Sequence, residues 1–147
     1  HVVLGLVLWE DFKNLENKSI SGCIKRFSRY TRSEMEELSK KVNLYYLLAI
    51  LNSKYASHLL DIQRGGDYHI YPEHIRNLPI PIAPKPEMDA LTSLAKEQLS
   101  QHAQLKEAKL ESDRSVIQST IVALDAKIDE LVYKIYGLSQ DEIEKLK

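Results

Sequence analysis

Leu44, Leu47, Leu48, Leu51, Tyr55, Leu59 and Ile62 recur at intervals of three and four. That spacing lines one side of a 3.6-residue turn, so it predicts a helix over Asn43–Ile62 with Asn43 as its N-cap. A stricter pattern follows near the end. Ile117, Ile121, Leu124, Ile128, Leu131 and Ile135 step by four, three, four, three and four, which is a heptad seam. Between them, Met88 to about Leu110 is helical in composition but loosely periodic through Leu91, Leu94, Leu99 and Leu105. The two later helices are expected to form an antiparallel hairpin, with the seam on those four leucines. One long helix is the other option, because the break at Glu111–Ser115 holds neither Gly nor Pro.

Punctuation residues agree with these bounds. Gly65-Gly66 stops the first helix or makes a turn that needs positive φ. Gly137 caps the seam helix, and Ser139 with Glu142 forms a capping box that opens a last short helix. Pro72 suits the first turn of a short helix.

The remaining stretches read as extended. Val2–Leu8 is a short, branched, apolar run, and Asn17–Ile24 alternates polar and small residues; both are expected to be strands. Ser33–Lys41 is charged, an exposed helical turn or a loop. Tyr68–Tyr71 alternates like a short strand. Leu78–Ile82 (LPIPI) is held extended by its prolines, as an edge strand or a wall on the core. The expected fold is therefore α+β. Residues 1–86 would hold a small, irregular mixed sheet with the Asn43–Ile62 helix packed on it. After a linker at Ala83–Glu87, residues 87–147 would hold the helical hairpin and the short terminal helix.

Charge changes the picture where the total does not. The 147 residues carry a net charge of −1, and 44% are apolar, enough for a core. Residues 17–86 hold eleven Lys/Arg against six acids, and residues 87–147 hold eight against twelve. A basic middle before an acidic end points to an anionic partner for the middle. Lys25, Arg26, Arg29 and Arg32 stand with Phe27 and Tyr30 in a run without an acid. Arg64, Tyr68, His69 and Arg76 flank the diglycine. Cations pair with phosphates, and Arg also reads guanine in a major groove. These eight residues are the candidate DNA contacts, with Lys18 and Lys54 behind them as phosphate candidates.

Other chemistries lack their residues. There is no glycine-spaced loop before a Lys, no three-glycine dinucleotide fingerprint and no nucleophile elbow. His58, His69 and His74 lack the spacing of a helical zinc site. A single cysteine, Cys23, excludes an internal disulfide and a multi-cysteine zinc site. No catalytic, cofactor-binding or metal-binding residue is expected in this chain. No apolar run reaches the ~18 residues of a membrane span. The opening HVVLGLVLW lacks a basic flank and an initiator Met. The expectation is a piece of a longer cytoplasmic polypeptide.

The run YYLLAILNSKYASHLLDIQRGGDYHIYPEHIRNLPIPIA resembles the target-recognition segment of bacterial restriction–modification proteins. There, a helix with an LNSK motif precedes a Gly-Gly-x-Tyr turn and an LPIP strand. Here these are Leu51-Asn52-Ser53-Lys54, Gly65-Gly66-Asp67-Tyr68 and Leu78-Pro79-Ile80-Pro81. The tail AKIDELVYKIYGLSQDEIEKL is similar to the ending of fused type II adenine methyltransferases with a TaqI-like specificity domain. It matches at Ile128-Asp129, Leu131-Val132-Tyr133, Ile135-Tyr136-Gly137-Leu138 and Glu142-Ile143. The resemblance covers roughly residues 17–146. It implies a domain that selects a sequence in double-stranded DNA. An upstream methyltransferase domain of the same polypeptide, in some members with a fused endonuclease, would bind S-adenosylmethionine and methylate adenine. The Asn-Pro-Pro-Tyr motif and the cofactor glycine motif of that domain are absent from this sequence. Asn52 and Ser53 read as structural, pinning the helix surface.

Two rivals stand beside this reading. A specificity subunit of a type I restriction system also joins a recognition domain to long helices, and the sequence upstream of His1 separates the two. A helical interaction module would dimerise through Ile117–Ile135, with the basic stretch incidental.

Overall fold

A computed structural model describes residues 6–12, 14–26 and 29–146. Among them the chain is helical, with no strand, so the α+β expectation with its mixed sheet is overturned. A 3₁₀ turn at Trp9–Phe12 precedes α1 (Lys18–Arg26), α2 (Arg32–Ser39), α3 (Leu44–Leu51), α4 (Lys54–Arg64), α5 (Pro72–Arg76), α6 (Lys85–Glu107), α7 (Glu111–Tyr136) and α8 (Gln140–Glu144). The helices group into two compact units, His1–Leu44 and Tyr45–Lys147.

Two of the expected strands, Asn17–Ile24 and Tyr68–Tyr71, fail for local reasons. Val2–Gly5 lies outside the described residues, and Leu6–Leu8 has no regular structure. Asn17–Ile24 is helix. The Asn17 side-chain oxygen accepts the Ile20 N–H at 3.0 Å, the bond of an N-cap. Ile20, Cys23 and Ile24 then fall at helical spacing on the covered side of α1, with Ile20 buried. Tyr68–Tyr71 is irregular, because the Asp67 carboxylate accepts the His69 N–H at 3.0 Å and folds the chain into an Asx turn. Leu78–Ile82 has no regular structure and joins no sheet.

In the first unit, α2 opens with a capping box between Thr31 and Glu34. The 3₁₀ turn packs on α2: Ser39 Oγ accepts the Glu10 N–H at 3.0 Å, and the Arg32 guanidinium donates to the Phe12 carbonyl at 2.7 Å.

The second unit is organised by α6 and α7, of 23 and 26 residues, or about 35 and 39 Å at 1.5 Å per residue. They form the antiparallel hairpin. Glu87 meets Lys134 at 3.4 Å, and Gln98 meets Asp125 further along. The turn sits at 108–110, before the Glu111–Ser115 stretch. There Arg114 donates to the carbonyls of Leu105 (3.1 Å) and Ala108 (3.3 Å). Ile121, Leu124, Ile128 and Val132 of α7 are buried, as are Leu91 and Ala95 of α6. Leu99 is not drawn into this core and stays exposed. The Ala83–Glu87 linker is shorter than expected, since α6 begins at Lys85 with proline in its first turn.

The helix expected over Asn43–Ile62 is two helices. Ser53 breaks it. Its backbone is extended, and its buried hydroxyl donates to the Ile50 carbonyl (2.7 Å) and accepts the Ala56 N–H (3.2 Å). Asn52 bonds back to the Leu48 carbonyl at 2.9 Å. Gly65 ends α4 at φ 57°, and Gly137 ends α7 at φ 68°, as the punctuation predicts. The box of Ser139 and Glu142 opens α8. No described helix is long and apolar enough to cross a membrane.

Candidate nucleic-acid interface

The candidate contacts fall on two surfaces, one in each unit. In the first unit, Lys25 and Arg26 end α1, and Arg29 lies in the turn that follows. All three are exposed. Arg26 folds back along its own helix, with Nε 3.3 Å from the Gly22 carbonyl and Nη2 3.9 Å from Cys23 Sγ. Among the described residues none of the three has a carboxylate partner. Arg32 differs. Its Nε meets Glu36 at 2.8 Å while its Nη2 holds Phe12, so its guanidinium joins α2 to the 3₁₀ turn.

In the second unit, Arg64, Tyr68, His69 and Arg76 lie on α4, the loop after it and α5. Both arginines are paired within a helical turn. Arg64 meets Asp61, and Arg76 meets Glu73 at 2.7 Å. Arg64 Nε is buried without a hydrogen-bond partner. Asp61 and Glu73 thus offset both arginines of this loop. Its outstanding feature is apolar. Tyr68 is 93% exposed at the tip, and Ile62, Ile70 and Tyr71 are also exposed. Two glycines at positive φ (57° and 94°) make the turn, and the Asx turn on Asp67 fixes its exit. His69 packs a ring near Tyr71, whose ring meets His74 edge-on at 5.5 Å. The His69 N–H holds the Asp67 carboxyl below the usual carboxylate range.

A joint holds this loop in place, and it is built from the stretches that carry the resemblance. The Lys54 N–H, at the start of α4, donates to Asp129 Oδ1 at 2.8 Å. Asp129 is 7% exposed, and burial pushes its carboxyl up despite that bond. Tyr136 sets its ring edge-on to Tyr55 at 4.6 Å and donates its hydroxyl to the Pro79 carbonyl at 2.6 Å. Tyr46, fully buried, donates to the Pro81 carbonyl at 2.8 Å. Burial raises both phenols. The LNSK, LPIP and IDELVYKIYGL stretches therefore meet in space, and Ser53 is structural as its motif suggests.

Sequence reasoning missed Asp129 as the partner of α4. Nothing in the pattern marks it, since Asp129 and Glu130 both lie between the seam residues Ile128 and Leu131. The spacings 61–64, 73–76 and 32–36 pair acid with arginine at one helical turn, which foreshadowed the local pairing. Beside Asp129 lies an open groove of about 470 Å³, lined by Lys54, Glu130, Tyr133, Lys134 and Ile143 among others. Among the described residues no three His, Cys, Asp or Glu side chains gather as a metal site. Compared with known proteins, the chain matches no family model, no curated protein and no solved structure.

Proposed function

We propose that this chain is the DNA-recognition part of a restriction–modification adenine methyltransferase. The methyl transfer and the S-adenosylmethionine site would belong to another part of the same polypeptide. One observation carries the reading. Three of the four motif stretches on which the resemblance rests, LNSK, LPIP and the tail, touch through Lys54–Asp129 and Tyr136–Pro79 hydrogen bonds, with Tyr55 against Tyr136 beside them. Those stretches then belong to one folded unit of this chain. That unit holds an exposed, conformationally fixed loop, as base reading requires, while exposed cations supply phosphate contacts that set register. The target adenine would be flipped out by the catalytic domain.

The rival of a module that dimerises through the heptad seam loses its surface. Ile121, Leu124 and Ile128 are buried with α6 packed along α7.

The test is fluorescence anisotropy of labelled random-sequence duplex DNA at several salt concentrations, beside the variant Arg26→Ala/Arg29→Ala/Arg64→Ala. Binding that weakens with salt, with a shallower slope in the variant, supports the proposal. Absence of binding at low salt counts against it.

A further inference from the structure

We infer that α1 is a docking helix for duplex DNA, laid against the phosphate backbone through the face that carries Lys18, Gly22 and Lys25. This rests on the DNA-recognition reading and assigns it an element that the sequence pattern had placed in a strand.

The argument starts from the turn of the helix. Lys18, Gly22 and Lys25 are spaced four and three, so they share one face. Ser21 and Arg26 flank that face, and both lysines, Ser21 and Arg26 are exposed. The opposite face carries Ile20, Cys23 and Ile24, buried or half-buried. Cations therefore sit at both ends of the free face with small residues between them. A side chain added at Gly22 would meet nothing within 4 Å, so the face is open at its centre.

Charge selects the occupant. From Asn17 to Ser33 there are five cations and no acid. Among the described residues Lys18, Lys25, Arg26 and Arg29 have no carboxylate partner. A basic amphipathic helix can also lie on a membrane, but it does so by burying its apolar face in lipid. Here Ile20 is already covered by protein. The free face is polar and cationic, and it fits a polyanion with closely spaced charges. The low profile at Ser21 and Gly22 lets the helix backbone come close to one. The second unit's loop lacks this property, since carboxylates offset both of its arginines.

The test uses the full chain and labelled duplex DNA in a salt series, with poly-glutamate as a second polyanion. Two variants are compared. Lys18→Gln/Lys25→Gln removes the charges at both ends of the face. Gly22→Leu fills its centre, and it is expected to strengthen the helix because leucine favours helix over glycine. The charge variant is expected to lose at least tenfold in affinity. Its log–log salt slope should fall by about 2, one unit for each phosphate that is no longer neutralised. Gly22→Leu is expected to weaken binding severalfold with no drop in Tm, which separates blocked approach from unfolding. If the parent chain binds DNA and both variants bind equally well, α1 is not the docking helix, while the DNA-recognition reading survives. If the parent chain does not bind at low salt, both fall. Equal binding to poly-glutamate would overturn the duplex assignment in favour of a general acidic partner.

Discussion

Asp129 is buried beside the apolar seam of α7 and keeps its place because a backbone N–H from α4 meets it. Two substitutions separate its roles. Asp129→Ala removes the acceptor and leaves the Lys54 N–H without it, a loss of about 1–3 kcal/mol in denaturant unfolding. Asp129→Asn keeps an oxygen in place and removes the titration. Burial raises the carboxyl above its ordinary value of 3.8, so the folded state favours the protonated acid. That contribution is complete below the ordinary value and is lost as pH rises through the raised one. The Asn variant should therefore gain on the parent between acid and neutral pH. A constant gap between the two unfolding curves from pH 3 to 7 would contradict this. The sequence displays Asp129 only as one of two acids between the seam residues Ile128 and Leu131. Its partner lies 75 residues away, a distance that periodicity cannot span. The same limit hid the hydroxyl of Tyr136 and its bond to Pro79. Removing it in Tyr136→Phe is expected to cost about 1 kcal/mol, with the ring contact to Tyr55 retained.

Among the elements, the helices with strong caps were legible. Gly65, Gly137 and the Ser139–Glu142 box act within a few residues, so they can be read locally. The misread elements share a cause. Asn17–Ile24 mixes small and polar residues, which fit alternation as well as they fit a helix. The choice was made by the Asn17 cap and the cover over Ile20. Asn43–Ile62 keeps helical spacing across Ser53, so periodicity could not reveal that Ser53 starts a new helix. The cationic end of α1 was legible from charge, but its face was not, because a face exists only once the helix is known. Two glycines test the element assignments with opposite signs. Gly65→Ala places a Cβ at φ 57° and is expected to cost about 1 kcal/mol. Gly22→Ala lies within α1 in open space and is expected to stabilise by roughly 0.5–1 kcal/mol. Thermal melts of both variants check the pair; equal signs would contradict the assignment of one glycine.

At the scale of the whole molecule, the division at Leu44 makes a prediction of its own. Residues 45–147 contain the hairpin, the joint and most of the buried core. Expressed alone, they are expected to give a helical circular-dichroism spectrum and a cooperative melt. If the proposed DNA recognition holds, they should also lose most of its salt-dependent affinity, since Lys18, Lys25, Arg26 and Arg29 lie in the other unit. A broad melt without a transition would show that the second unit needs the first.

The anchoring of the diglycine loop has a consequence for exchange. The loop leaves α4 at a capped end, where Gly65 closes the last turn. It re-enters the core at Leu78, which is buried, and two tyrosine hydroxyls hold the carbonyls of Pro79 and Pro81 just beyond. None of those bonds uses a side chain between Gly66 and Asn77. These bonds thus do not depend on the exposed side chains of the loop, while α5 packs on α4. Substitutions at the exposed tip, Tyr68 and His69, are therefore expected to leave the joint shut.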